Sequence, residues 1–412
     1  MTMSTVVRPL DPSELMFAGA GAYVGYAVEV SGRLDLAALS AAYAAVVRAY
    51  PVFGGRLEPS DDGGHVLVAS TATPEISVVD DDSGHLLIDQ KFDQRVALSA
   101  VCVVRDGDTA SVTLLTHHSV ADAYHSLAVL AELWSCYTDA VAGHSLERRV
   151  RGYPASIEEL LAERGVEKMT FPDPAGQPAA STPAVDPVVD EHGWQSAPQV
   201  SRCRLSAAET AALVELGHRE CVTINGLVSA AVLLSEAEIR ELPLTELLYL
   251  YPVDLRTRIT PTAGLTDGTN LLGFANYTPA EPVELLELAR GICESLRVAL
   301  DAGIVQQTPL HIPDMAMNVT APIPGLVIMT NWGRIPELRT PEDLHINDFR
   351  STLTTAIDAE APSAPQQPGG GTCILSTFGS RLSIEIHHSK AAAAQQQRRV
   401  DSFAAKLRAA IS

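Results

Sequence analysis

A strand that ends in two histidines constrains this chain most. Ser111 to His117 is an apolar, β-rich run. It passes directly into His117-His118-Ser-Val-Ala-Asp122-Ala123 and then into a helical pattern with Leu127, Leu130, Trp134 and Tyr137 on one face. The junction between a strand and a helix is where αβ proteins place functional residues. A neutral imidazole, with an ordinary pKa near about 6.5, suits proton abstraction at neutral pH. The residues alone leave two other readings open. Two adjacent histidines end a strand and bond locally, or His117, His118, Asp122 and His125 hold a metal. Neighbouring side chains on a strand point to opposite faces, which weighs against the metal.

The surrounding pattern alternates α and β. Asp11-Pro12-Ser13-Glu14 reads as a capping box for a short helix. Tyr23 to Val30 alternates as a strand, and Asp35 caps a helix ended by Pro51. Asp61-Asp62-Gly63-Gly64 is a hairpin turn, and Ala97 to Arg105 is a second apolar strand. Between Val141 and Val200 prolines break every long element except a helix at 156–164, so this stretch reads as a crossover. The pattern then restarts. Ser206-Ala-Ala-Glu209 and Thr223 cap two helices, Leu247 to Val253 and Leu326 to Thr330 are strands, and Val283 to Leu300 is helical. Cys373 to Phe378 and Leu382 to His388 form a hairpin before a closing helix at 395–411. This second half also ends a strand in His-His-Ser, at 387–389, which two similar αβ halves would explain. Ala392 stands where the aspartate would fall, so the second pair is read as structural. The implied domains are 1–140, a crossover at 141–200, and 201–412.

Several chemistries are excluded. Gly19-Ala-Gly21-Ala-Tyr-Val-Gly25 misses the dinucleotide spacing by one residue and reads as a turn. There is no phosphate-binding GxxxxGK[ST] loop, no GxSxG nucleophile elbow and no CxxC pair for zinc. The six cysteines are read as buried free thiols in a reducing compartment. A net charge of −21 argues against nucleic acid and anionic membranes as partners. No apolar run reaches the ~20 residues a membrane helix needs, and no secretory signal is visible, so a cytoplasmic protein is expected.

His117-His118-Ser-Val-Ala-Asp122-Ala123 resembles the HHxxxDG signature of the condensation-domain and chloramphenicol-acetyltransferase superfamily. The chain is most similar there to the polyketide-associated, phthiocerol dimycocerosyl transferase-like acyltransferases. Val28 to Tyr50 resembles the family's opening strand and helix. Tyr251 to Arg256, Thr269 to Gly273, Ala302 to Gln307 and Thr330 to Gly333 resemble later segments in the same order. The resemblance implies an α/β fold of mixed sheets, in two chloramphenicol-acetyltransferase-like domains with a tunnel between them. It implies that His118 is a general base acting without an acyl-enzyme, that His117 holds the turn, and that Asp122 is structural with Arg256 as its partner. Thr330 and Asn331 resemble the position of an oxyanion donor. Ala123 departs from the family's glycine, and an intact turn is still expected.

The implied reaction is O-acyl transfer, with no bound cofactor and acyl-coenzyme A as co-substrate. Arg219 and Arg297 are candidates to bind the donor, and Arg148, Arg149 and Arg151 form another cationic cluster. The acidic chain disfavours an acidic carrier protein as donor. Acetylation of a macrocyclic polyketide hydroxyl, such as that of an ansamycin, is the leading expectation for this chain, taken as a monomer. The alternatives are carrier-dependent long-chain transfer to a diol or glycolipid, and a non-catalytic condensation-like binding module.

Overall fold

The computed structural model describes residues 5–61, 63–70, 75–87, 90–170, 199–314, 325–356, 372–388 and 392–412. Much of the expected crossover, 171–198, lies outside the described residues.

The first half runs β1 (Val6–Pro9), α1 (Pro12–Gly19), β2 (Ala22–Gly32), α2 (Leu36–Ala49), β3 (Arg56–Pro59), β4 (His65–Val68), β5 (Ile76–Asp80), β6 (Ser99–Asp106), β7 (Thr109–His117) and α3 (Ala123–Val141). Glu14 reaches back to cap α1, its Oε2 accepting from Asp11 N at 2.9 Å. Asp35 caps α2 by accepting from the amides of Ala37 and Ala38. Helix α2 then buries Leu39, Ala42, Tyr43 and Val46 against the core, as its apolar spacing dictates. Helix α4 (Ile157–Glu163) follows, capped by Ser156.

The second half runs β8 (Gln199–Arg204), α5 (Ala207–Glu220), α6 (Ile224–Arg240), β9 (Leu248–Asp254), β10 (Leu272–Tyr277), α7 (Leu285–Asp301), α8 (Ile304–Gln307), β11 (Leu326–Arg334), β12 (Leu344–Thr355), β13 (Thr372–Phe378), β14 (Arg381–His388) and α9 (Ala393–Ile411). Among the described residues no single helix is long and apolar enough to cross a membrane. The pair α5 and α6 meets that test together but bends by 102°, and α6 is buried along Gly226 to Leu233. Of the six unpaired cysteines, Cys221 is exposed and Cys293 half-buried, where burial was expected.

The two large sheets share a plan. One has the order β12-β2-β7-β6-β5 and the other β10-β9-β11-β13-β14-β8. Within them, β2-β7-β6-β5 matches β8-β14-β13-β11 strand for strand. The first two pairings are antiparallel in each set, and the last is parallel. The two histidine pairs therefore end equivalent strands, β7 and β14, and each precedes a long helix. The end of α9 differs in the way its sequence requires: Ala392 is its N-cap and makes no side-chain cap.

The expected boundary at 201–412 does not hold for one strand. β12 pairs with β2 from Leu344↔Gly32 to Thr355↔Ala22 and so completes the N-terminal sheet. Its polar sequence, with Asp348, Arg350 and Ser351, carries no apolar run, and its β-conformation follows from the long partner beside it. Phe349 goes with it into the N-terminal core, where Trp332 of β11 also packs.

Candidate active site

The loop 117–122 joins β7 to α3. His117 is the last paired residue of β7, opposite Tyr23 on β2. Its side chain is fully buried, with the Tyr23 ring edge-on at 4.8 Å. Ser119 N donates to His117 Nδ1 at 3.3 Å. Burial pushes this imidazole down to about 3, so it is neutral and fills space in the turn.

His118 is half-buried and held from three sides. Its backbone N–H donates to Ala22 O at 2.8 Å. Phe17 from α1 stacks on the ring, with centroids 3.8 Å apart and planes 3° apart. Asn270 makes two contacts: its Nδ2 donates to His118 O at 2.7 Å, and its Oδ1 lies 3.0 Å from His118 Nδ1. These contacts select the tautomer. An amide whose NH2 faces a carbonyl presents its oxygen to the ring, so Nδ1 carries the proton. Nε2 is left as a bare lone pair, which is the form a base needs. Burial also holds the His118 pKa below its ordinary value, against the opposing pull of Asp122.

Asp122 is taken up by other partners. It caps α3, its Oδ1 accepting from His125 N at 3.0 Å. Arg256 Nη1 donates to Oδ2 and Nη2 to Oδ1, each at 2.9 Å, and Leu271 N donates to Oδ2 at 3.0 Å. Arg256 and Asp122 are 2% and 1% exposed, so this is a buried bidentate pair between the two halves. The structure thus brings together His117, His118, Asp122 and Arg256. Ala123 opens α3 without the positive φ that would call for glycine.

Segment 268–271 is the second wall of the loop. Gly268 O lies 3.1 Å from His125 Nδ1, Thr269 O accepts from Asp122 N at 2.8 Å, and Asn270 and Leu271 bond as above. Asn270 is the site residue that the sequence does not single out. Its signal is a polar side chain ahead of Leu271 and Leu272, because a buried amide needs partners.

Asn331 has a partner on each of its amide atoms. In β11 the register against β13 shifts between Asn331 and Arg334, and Gly333 adopts φ 69°. Asn331 Oδ1 accepts from Gly333 N at 2.8 Å, and its Nδ2 donates to Asn225 Oδ1 at 3.1 Å. The side chain therefore pins the bulge. Thr330, half-buried, sits opposite Ile374 in the ladder just before it.

Arg219 on α5 and Arg297 on α7 are exposed and ion-paired. Arg219 is 62% exposed and bonds Glu220, and Arg297 is 60% exposed and bonds Glu294 and Asp301. Arg297 is matched by two carboxylates on its own helix, whereas Arg219 shares its partner, Glu220, with Arg290 of α7. Arg148 is likewise paired, with Glu132 and Asp139, while Arg151 lies 5.9 Å over the Tyr50 ring. The second histidine pair is structural, as read from the sequence. His387 Nε2 lies 2.7 Å from Ser351 Oγ on β12, and His388 Nε2 lies 2.9 Å from Ser201 Oγ on β8.

Residues 195–387 match the family described as the C-terminus of phthiocerol/phthiodiolone dimycocerosyl transferase. The chain is 35% identical over 376 residues to a phthiocerol/phthiodiolone dimycocerosyl transferase from Mycobacterium leprae (strain TN), covering 87% of this chain and 88% of that protein. Polyketide synthase associated protein 5 from Mycobacterium tuberculosis has the same fold, with a TM-score of 0.79 and 29% identity over 98% of this chain and 99% of that one. The first condensation domain of the calcium-dependent antibiotic synthetase aligns with a TM-score of 0.65 over 98% and 97% of the two chains; at 15% identity this likeness is one of fold.

Proposed function

The chain belongs to the phthiocerol/phthiodiolone dimycocerosyl transferase family of acyltransferases, and from that premise we propose that it moves an acyl group from a thioester to a hydroxyl of a polyketide-type acceptor, with His118 as general base. The observation that carries this is the double contact of Asn270, which leaves Nε2 of His118 unprotonated. Nε2 takes the proton of the acceptor hydroxyl as its oxygen attacks the thioester carbonyl. The tetrahedral intermediate collapses to the ester, the C–S bond breaks, and the departing thiolate takes the proton from the imidazolium. No acyl-enzyme is needed, in keeping with the missing nucleophile elbow. The Thr330 hydroxyl and the second Nδ2 hydrogen of Asn331, whose first goes to Asn225, are the side-chain donors assigned to the oxyanion. Asp122 and Arg256 hold the loop and take no part in proton transfer.

For the substrates, acetyl-coenzyme A and a macrocyclic polyketide hydroxyl, such as that of an ansamycin, form the first reading. The charge of −21 supports free coenzyme A over an acidic carrier. The second reading is a long acyl chain placed on a diol, which the names of the relatives favour.

The test is thiol release from acetyl, hexanoyl and palmitoyl coenzyme A by the purified protein and by His118→Ala. Release that is lost in His118→Ala is the expected result, and its rank order over chain length chooses between the two readings. Equal release by both proteins, or none with any donor, moves the assignment to a carrier-bound donor or to a binding module.

A further inference from the structure

Asn270 fixes which ring nitrogen of His118 is protonated, but a single bond at Nδ1 does not fix the ring plane. The imidazole still rocks about the line from Nδ1 to Oδ1. The second constraint comes from α1, where the Phe17 ring lies parallel to the imidazole at 3.8 Å. Helix α1 is itself anchored on both sides of the base. Glu14 is fully buried and accepts from Arg8 Nη1 and Nη2 at 2.7 and 2.6 Å, from Asp11 N at 2.9 Å and from Thr269 Oγ1 at 2.8 Å. Its carbonyl accepts from Ser119 Oγ at 2.8 Å. One turn of helix thus ties Phe17 to the neighbour of His118 and to the neighbour of Asn270, since residues three apart share a helix face.

We propose that Phe17 is a positioning residue for the base: it fixes the plane of the His118 ring and so aims the Nε2 lone pair, which lies in that plane, in one direction. This rests on the reading of His118 as the base. Asn270 acts in the ring plane and Phe17 acts normal to it, so the two contacts together define the imidazole. A flat partner is what the geometry demands. A branched aliphatic side chain of similar bulk fills the space without defining a plane.

The experiment compares Phe17→Tyr, which keeps a flat ring, with Phe17→Leu, which keeps apolar bulk, and uses two readouts. In the ligand-free protein, 13C relaxation of the His118 Cε1–Hε1 bond reports motion of the ring plane. In steady state, kcat and KM are measured with the best coenzyme A thioester. Phe17→Leu is expected to lose about tenfold or more in kcat with little change in KM, because misplacement by about 1 Å costs up to about 10²-fold. Its His118 ring is expected to be more mobile than in the parent, with the tautomer unchanged because Asn270 still sets it. Phe17→Tyr is expected to keep the rigid ring and to stay within about twofold of the parent kcat. Full kcat in Phe17→Leu, equal losses in both variants, or unchanged ring motion in Phe17→Leu overturns the proposal. If the parent protein transfers no acyl group, the proposed function fails, and the relaxation comparison still decides the role of Phe17.

Discussion

Arg256 reaches from the C-terminal half of the chain to Asp122 in the N-terminal half through two parallel hydrogen bonds of 2.9 Å. Both side chains are withdrawn from solvent, and both have further partners. Arg256 also meets Asp254 Oδ1 at 2.9 Å and Leu265 O at 3.0 Å, and it lies 5.6 Å over the Tyr124 ring. The pair sets where segment 268–271 stands against the histidine loop, and so where Asn270 meets His118.

Breaking this pair leaves a buried charge. Asp122→Asn and Arg256→Met each are expected to destabilise the fold by about 3–5 kcal/mol, because the remaining partner is stranded. Replacing both at once, as Asp122→Asn with Arg256→Met, removes both charges and is expected to cost less than the sum of the two. Urea unfolding of the three variants measures this. Additive losses would mean that the two groups do not act as a unit.

Asn270 makes separable predictions about the base. Asn270→Ala removes both bonds and is expected to lower kcat by about tenfold to a hundredfold, since ring placement relaxes. Asn270→Asp keeps an acceptor at Nδ1 but sets a negative charge beside the ring, which favours the imidazolium. The base is active when neutral, so the acid limb of kcat/KM is expected to move to higher pH in Asn270→Asp. A pH profile from 5.5 to 8.5 checks this, and an unmoved limb together with a full kcat in Asn270→Ala removes Asn270 from the site.

The legible part of this architecture is local. β7 and α3 follow from an apolar run and a helical stripe, and the caps at Asp35, Ser206 and Thr223 follow from short polar side chains ahead of such stripes. The second histidine pair was readable too, because Ala392 cannot cap or pair as Asp122 does. What was not legible depends on contacts far along the chain. Asn270 meets His118 from 152 residues away, and β12 is a strand because β2 offers it a full-length edge. The pairing of Asp122 with Arg256 was drawn from family resemblance and not from spacing, which carries no signal over that separation.

Arg219 and Arg297 show the opposite limit of a sequence. Positive charge is plain in a sequence, but the carboxylates that match it on a helix surface are seen only with the geometry. Both guanidinium groups are exposed and paired. Arg219→Ala and Arg297→Ala are therefore expected to leave KM for an acyl-coenzyme A within about twofold of the parent, since exposed pairs contribute little. A rise of tenfold in KM for either would restore it to the donor site.

Acid stability follows from the histidines that the core keeps neutral. Burial lowers the pKa of His117 to about 3, of His125 to about 4 and of His387 to about 3. In the unfolded chain each returns to about 6.5. Between those values the unfolded state binds more protons than the folded one, so stability falls as pH falls. The contribution of these groups is fully present above about pH 6.5 and is lost as pH drops toward 4, at up to about 1.4 kcal/mol per pH unit for each histidine. The urea midpoint is expected to hold between pH 8 and 7 and to fall steeply from pH 6 to 5. His387→Gln removes one of the imidazoles whose pKa burial lowers, a set that also includes His118, so its slope over pH 6 to 5 is expected to be shallower than the parent's. A midpoint that stays flat to pH 5 would mean that the buried imidazoles accept protons in the folded protein, and an unchanged slope in His387→Gln would take that residue out of the set.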